Sequence, residues 1–130
     1  MNRRVRDDVI MCCLGLAAAV LGGCAMPQSA IEDADFGPPP VGYEQHIIDY
    51  FDAILIDPES ARYEFETPYK AGTYRGLLAG GGWIFGWAVD MTVNSKNRMG
   101  GYVGRQRNTF FFHDGDRMTR DRFDRVQRVE

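Results

Sequence analysis

Residues 83–94, WIFGWAVDMTVN, place an apolar side chain at every second position: Trp83, Phe85, Trp87, Val89, Met91 and Val93. A period of two marks a strand with one face against a core, so this segment is expected to form a long strand. Residues 42–56, GYEQHIIDYFDAILI, follow a different rhythm. Tyr43, Ile47, Tyr50, Phe51, Ile54 and Leu55 fall along one stripe, with Glu44, Asp49 and Asp52 elsewhere. That spacing predicts an amphipathic helix. Asp57-Pro58 ends it, because the residue before a proline is pushed out of the helical region. His46 lies near the stripe and reads as a surface or part-buried histidine.

Weaker signals fill the rest. Tyr63 and Phe65 alternate with Arg62, Glu64 and Glu66, which predicts a half-buried strand that Thr67-Pro68 breaks. The glycine-punctuated stretch 69–82, YKAGTYRGLLAGGG, reads as a lead into the long strand. Asn94 to Gly101 is a loop by composition, and Tyr102 to His113 returns as a strand ending in three phenylalanines. Asp114-Gly115 supplies a tight hairpin signal, with a short strand expected over Arg117–Thr119. These elements predict an α+β domain over residues 42–119. It would have one N-terminal helix packed on a small antiparallel sheet of three to four strands. The charged tail 120–130 has Asp121/Arg125 and Asp124/Arg128 four apart, which suits a short amphipathic helix or a frayed end.

The first residues carry an address. A basic start, Met-Asn-Arg-Arg-Val-Arg, is followed by the uncharged run VIMCCLGLAAAV and then Leu21-Gly22-Gly23-Cys24. The run is shorter than the roughly 20 residues a membrane-spanning helix needs, and its flanks are those of a secretory signal peptide. Leu-Gly-Gly-Cys resembles the lipobox of bacterial lipoproteins. That resemblance implies cleavage after Gly23 and fatty acylation of Cys24, including a palmitate-type chain. The alternatives are an ordinary signal peptide with a leftover cysteine and an uncleaved anchor helix; the small residues ahead of Cys24 favour the lipobox. Cys12 and Cys13 would leave with residues 1–23, so the mature chain would carry no disulfide framework. Residues 24–41 combine acids, small residues and Pro38-Pro39-Pro40, the composition of an extended lipidated tether.

Charge narrows the partners. The 130-residue chain has a formal charge of −3, which becomes −4 once residues 1–23 are removed. This balance is unsuited to general nucleic-acid binding. Residues 24–69 hold one base against ten acids, whereas residues 70–130 hold eleven bases against six acids. The two halves can pair with each other in the fold or present a dipolar surface to a charged partner.

Catalytic chemistry finds little support. His46 and His113 are distant in sequence and neither accompanies a nucleophile motif. His113-Asp114-Gly115-Asp116 lacks the spacing of a calcium loop. Gly80-Gly81-Gly82 precedes a strand and not a helix, so it is no phosphate-cradling loop. No cofactor, metal site or catalytic residue is therefore expected. Loop 94–104, NSKNRMGGYVG, is the candidate partner-binding surface. Asn94, Lys96, Asn97 and Arg98 offer donors and positive charge, and Gly100, Gly101 and Gly104 allow close backbone approach. Tyr102 is an aromatic of the kind enriched in binding hot spots. The competing reading is that the same asparagines and glycines only shape a bulged hairpin.

One pattern spans much of the chain. Asp57-Pro58-Glu59-Ser60-Ala61, then Val93-Asn94-Ser95-Lys96-Asn97 and Gly100-Gly101-Tyr102-Val103-Gly104, resembles a group of small uncharacterised bacterial lipoproteins. Their recurring pattern is DPxSA followed by VNxKNxxGGYxG, here with Ser95 in place of an expected alanine. The resemblance covers roughly residues 44–115; it implies fold and location and assigns no activity. The expectation is a non-enzymatic, lipid-anchored protein of a Gram-negative cell envelope, on the periplasmic face of the outer membrane. It would be held through Cys24 and bind another envelope protein or a cell-wall component. An inhibitor or immunity lipoprotein against a lysozyme or toxin is the second reading, and a cell-wall-acting enzyme the third.

Overall fold

The computed structural model describes residues 25–115, 117–122 and 124–130. Residues 1–24, on which the expected signal peptide and Cys24 fall, lie outside the described residues. Two helices, α1 (Gln28–Glu32) and α2 (Tyr43–Asp52), precede six strands: β1 (Arg62–Phe65), β2 (Tyr69–Tyr74), β3 (Trp83–Asn94), β4 (Gln106–His113), β5 (Arg117–Asp121) and β6 (Val126–Arg128). All pair antiparallel, in the order β5-β4-β3-β2-β6, and β1 also pairs with β3. The α+β class holds. The expectation of a single N-terminal helix on three to four strands does not: α1 comes first, α2 is shorter than residues 42–56, and the sheet has six strands.

β3 is the spine. Its first half pairs with β2 and its last four residues with β1, while β4 runs along the other side. Phe65 faces Met91 and Tyr69 faces Ala88, so residues 66–68 oppose only residues 89–90. That mismatch is a bulge, and Pro68, which has no N–H to give a ladder, sits inside it.

The alternation along β3 sorts its side chains between two cores. On one face Val89, Met91 and Val93 join Phe110 and Phe112 of β4 beneath Ile47 and Phe51 of α2. Tyr43, Tyr50 and Leu55 flank this cluster as the helical stripe requires, whereas Ile54 stays exposed. Tyr63 also borders it, and its buried hydroxyl has no hydrogen-bond partner among the described residues. Tyr63→Phe is therefore expected to leave thermal stability unchanged or raise it by about 1 kcal/mol, because an unpaired buried hydroxyl is unfavourable.

On the opposite face Ala71, Ala88 and Phe111 form a second core with Tyr69, Ile84 and Val126. The ends of the sheet produce it. In a flat sheet β5 and β6 would lie about 19 Å apart, at a spacing of roughly 4.8 Å per strand. Yet only residues 122–125 join them, and Asp121 Oδ2 accepts the Val126 N–H at 2.9 Å. The sheet must curl until its edges approach, enclosing Phe111 in an open barrel. Within the tail Val126–Arg128 thus form a strand, in place of the expected helix or frayed end. Phe123 is not among the described residues.

Residues 25–41, expected as a spacer, lie against the sheet. Phe36 meets Phe85 edge-on at 5.5 Å, the Trp87 Nε1–H donates to Gly37 O at 3.1 Å, and the Met26 N–H donates to Gln127 Oε1 at 3.2 Å. This segment covers the half of the β3 face that α2 does not reach. Trp83, Phe85 and Trp87 are consequently half-buried, outside the central cluster the alternation assigned them to.

Candidate partner-binding loop

The loop between β3 and β4 is built by its own polar side chains. Asn97 Oδ1 accepts the N–H groups of Met99 and Gly101 at 2.9 and 3.1 Å, and Asn94 Oδ1 accepts that of Gly104 at 3.1 Å. Backbone bonds from Asn97 N to Gly101 O and from Val103 N to Ser95 O close the hairpin, with Lys96 bridged to Tyr102. Gly100 and Gly104 have φ of 79° and 98°, the left-handed region that a side chain disfavours.

The first half of the sequence pattern docks onto the second. Pro58–Ser60 form a single 3-10 turn in which Ser60 Oγ donates to Asp57 O. The same Oγ accepts the Lys96 N–H at 3.1 Å, and the Tyr102 hydroxyl donates to Ser60 O at 3.2 Å. The DPESA turn therefore clamps the base of the loop across 36 to 42 residues of sequence. Arg62 and Lys96 both stand over the Tyr102 ring, at 4.8 and 5.5 Å, a cation–π arrangement.

The candidate residues divide accordingly. Asn94, Asn97, Gly100 and Gly104 shape the loop from within, and Gly101 accepts and donates inside it. Arg98, exposed Met99, half-exposed Val103 and the cation-flanked Tyr102 face outward with Lys96 beside them. Beside the loop a groove of about 260 Å³ is lined by Arg62, Glu64, Thr92, Asn94 and Arg105. Arg105 pairs with Glu64 there, and Arg107 lies 3.7 Å from Glu66. These exposed pairs join the acidic and basic halves of the chain. Met99 and Val103 were not among the sequence candidates, since isolated apolar residues in a glycine-rich stretch follow no period.

A second polar cluster sits at the β1–β2 bulge. Asp90, 6% exposed, accepts from Thr109 Oγ1 at 2.5 Å, from Arg107 at 2.9 Å and from the Tyr69 hydroxyl at 3.3 Å. The hydrogen bond to Asp90 raises the Arg107 pKa, and burial followed by the Asp90 charge raises that of Tyr69. Arg128 stacks on the Tyr69 ring at 3.5 Å. The carboxylate accepts three donors of its own chain and ties β2, β3 and β4 together. Asp90→Ala orphans the Tyr69 and Thr109 hydroxyls, an expected loss of about 2 kcal/mol readable by urea unfolding, and Asp90→Asn should lose less.

His46 is exposed on α2, and His113 Nδ1 lies 3.1 Å from Asp114 Oδ2. His113 also borders a small cavity of about 160 Å³ with Trp87, Phe36 and Asp35. Among the described residues no group of three metal-binding side chains converges, and no helix is long and apolar enough to cross a membrane. Comparison with known protein families, with curated proteins and with solved structures finds no match to this chain.

Proposed function

We propose that this chain is a lipid-anchored protein of the bacterial cell envelope. Cys24 carries the lipid, and the domain holds another envelope component, without catalysing a reaction, through loop 94–104. The observation that carries the binding half is the division of labour in that loop. Its asparagines, glycines and the Ser60 clamp are consumed in rigidifying the hairpin, while Arg98, Met99 and Val103 are left outward and Tyr102, its hydroxyl held by Ser60, keeps part of its ring exposed. A preorganised loop loses less conformational freedom on binding, and the aromatic and arginine it presents are the residue types that anchor interfaces. The location half is supported by Leu21-Gly22-Gly23-Cys24.

The loop can be tested by separating its inner from its outer residues. Asn97→Ala removes the acceptor of two backbone N–H groups and is expected to lower the melting temperature. Arg98→Ala with Met99→Ala should leave melting within error of the unsubstituted chain. In cells, a photo-crosslinking side chain at Met99 should trap one discrete partner, and the same side chain at exposed Gln45 of α2 should not. Equal crosslinking from both positions, or none from Met99, rejects the loop as the contact surface.

A further inference from the structure

The β2–β3 hairpin ends in an apolar tip that nothing among the described residues covers. Leu77 and Leu78 are 84% and 108% exposed, on a single 3-10 turn (Leu77–Ala79). Exposed leucines side by side at a hairpin tip are unfavourable in water and ask for an apolar occupant.

Chain geometry indicates which occupant. The described chain begins at Ala25, and Met26 is fixed beside β2: its N–H is held by Gln127, and its Cε lies 2.7 Å from where a Cβ on Gly72 would stand. Gly72 pairs with Phe85, two ladder positions from the Tyr74–Trp83 pair at the base of the tip. Covalent connectivity keeps the Cys24 Cα within about 7 Å of the Met26 Cα, two steps of roughly 3.8 Å each. A lipid on Cys24 would therefore start beside the tip-proximal half of the β2–β3 hairpin, within acyl-chain reach of Leu77 and Leu78. The tip has the composition of a bilayer contact: leucines foremost, Tyr74 and Trp83 packed edge-on at 5.6 Å behind them, and exposed Arg75 alongside. Aromatic rings and arginines at that depth suit the headgroup boundary.

We propose that Leu77 and Leu78 insert into the leaflet that holds the Cys24 lipid, making the hairpin tip a second, non-covalent membrane contact. This rests on the lipid-anchor reading above. Two contacts fix an orientation where one lipid would leave the domain free to swivel. β3 runs from the tip to Asn94 over 12 residues, about 36 Å at roughly 3.3 Å per residue. Loop 94–104 is thereby presented away from the bilayer.

The full chain, expressed with its N-terminal processing and purified from membranes, is reconstituted in phosphatidylcholine–phosphatidylglycerol vesicles. An environment-sensitive fluorophore is placed at Leu78→Cys and, in a separate protein, at Met99→Cys, with a nitroxide quencher on the lipid acyl chains. The label at residue 78 should shift to the blue and be quenched several-fold more than the label at residue 99. Flotation of the vesicles with the unsubstituted chain reports the anchor separately. Flotation with a water-like, unquenched label at residue 78 overturns the tip contact and leaves the anchor standing. A blue-shifted but unquenched label also overturns it, because a protein surface then covers the tip. Loss of flotation, with an unmodified Cys24, removes the anchor and the tip contact together.

Discussion

Phe51→Asp is expected to leave no cooperatively folded protein at room temperature. Phe51 is 3% exposed, and its ring lies 5.4 Å from that of Tyr50 and 5.9 Å from those of Tyr63 and Phe110. It joins α2 to β1 and β4 at once. An aspartate there either buries an unpaired charge or pulls α2 off the sheet. Either event costs several kcal/mol, against about 5–15 kcal/mol for a whole domain. Circular dichroism and thermal unfolding read the outcome, and Glu44→Gln on the same helix should be nearly silent. A cooperative transition at the original temperature would mean that α2 does not cover this core.

Gly86→Ala, the smallest possible enlargement, should be almost as damaging. A Cβ at residue 86 would lie 2.1 Å from the backbone oxygen of Phe112 and 3.2 Å from His113 Cβ. The first of these is main chain inside the β3–β4 ladder, so relief requires the two central strands to separate. Overpacking costs about 1–3 kcal/mol, and a clash with main chain inside a ladder falls at the upper end of that range. Gly76→Ala is the matched control: its Cβ would meet nothing within 4 Å, and the backbone there has no positive φ. Urea midpoints for the two variants should therefore differ widely. Equal midpoints would show that β3 and β4 are not so closely apposed at Gly86.

Much of the fold was legible where hydrophobic periodicity is strong. The alternation over residues 83–94 became β3, and the stripe over residues 43–55 became α2 with its extra turn released at Asp52. Asp114 and Gly115 take the positive φ angles that the hairpin signal implied. β2 escaped detection because its core positions are small. Ala71 sits inside the barrel, and Gly72 leaves room for Met26 and Phe85. Small residues and glycines read as a connection when the chain that covers them is distant in sequence. β6 is three residues long with only Val126 turned inward, too little for any period to register. Curling the sheet also buried both of its faces, which is why Phe110 and Phe112 serve one core and Phe111 the other. Polyproline composition suggested a free spacer, but Phe36 and Met26 are apolar anchors whose partners, Phe85 and Gly72, come from the body of the domain.

The candidate loop was legible as a location but not as a mechanism. Asparagine and glycine in residues 94–104 signal equally a binding surface and a shaped hairpin. Only the hydrogen bonds of Asn94 and Asn97, and the Ser60 clamp, separate residues that build the loop from those that face outward. The docking of Asp57–Ala61 onto that loop depends on tertiary contacts no local pattern encodes.

Lipid on Cys24 is the proposed hold of this domain on a membrane. The mass of the N-terminal peptide from protein extracted out of bacterial membranes tests it most directly. The expected peptide begins at Cys24 and carries the added mass of a diacylglycerol on sulfur and an acyl chain on the new amine. A peptide beginning elsewhere, or an unmodified Cys24, would contradict it.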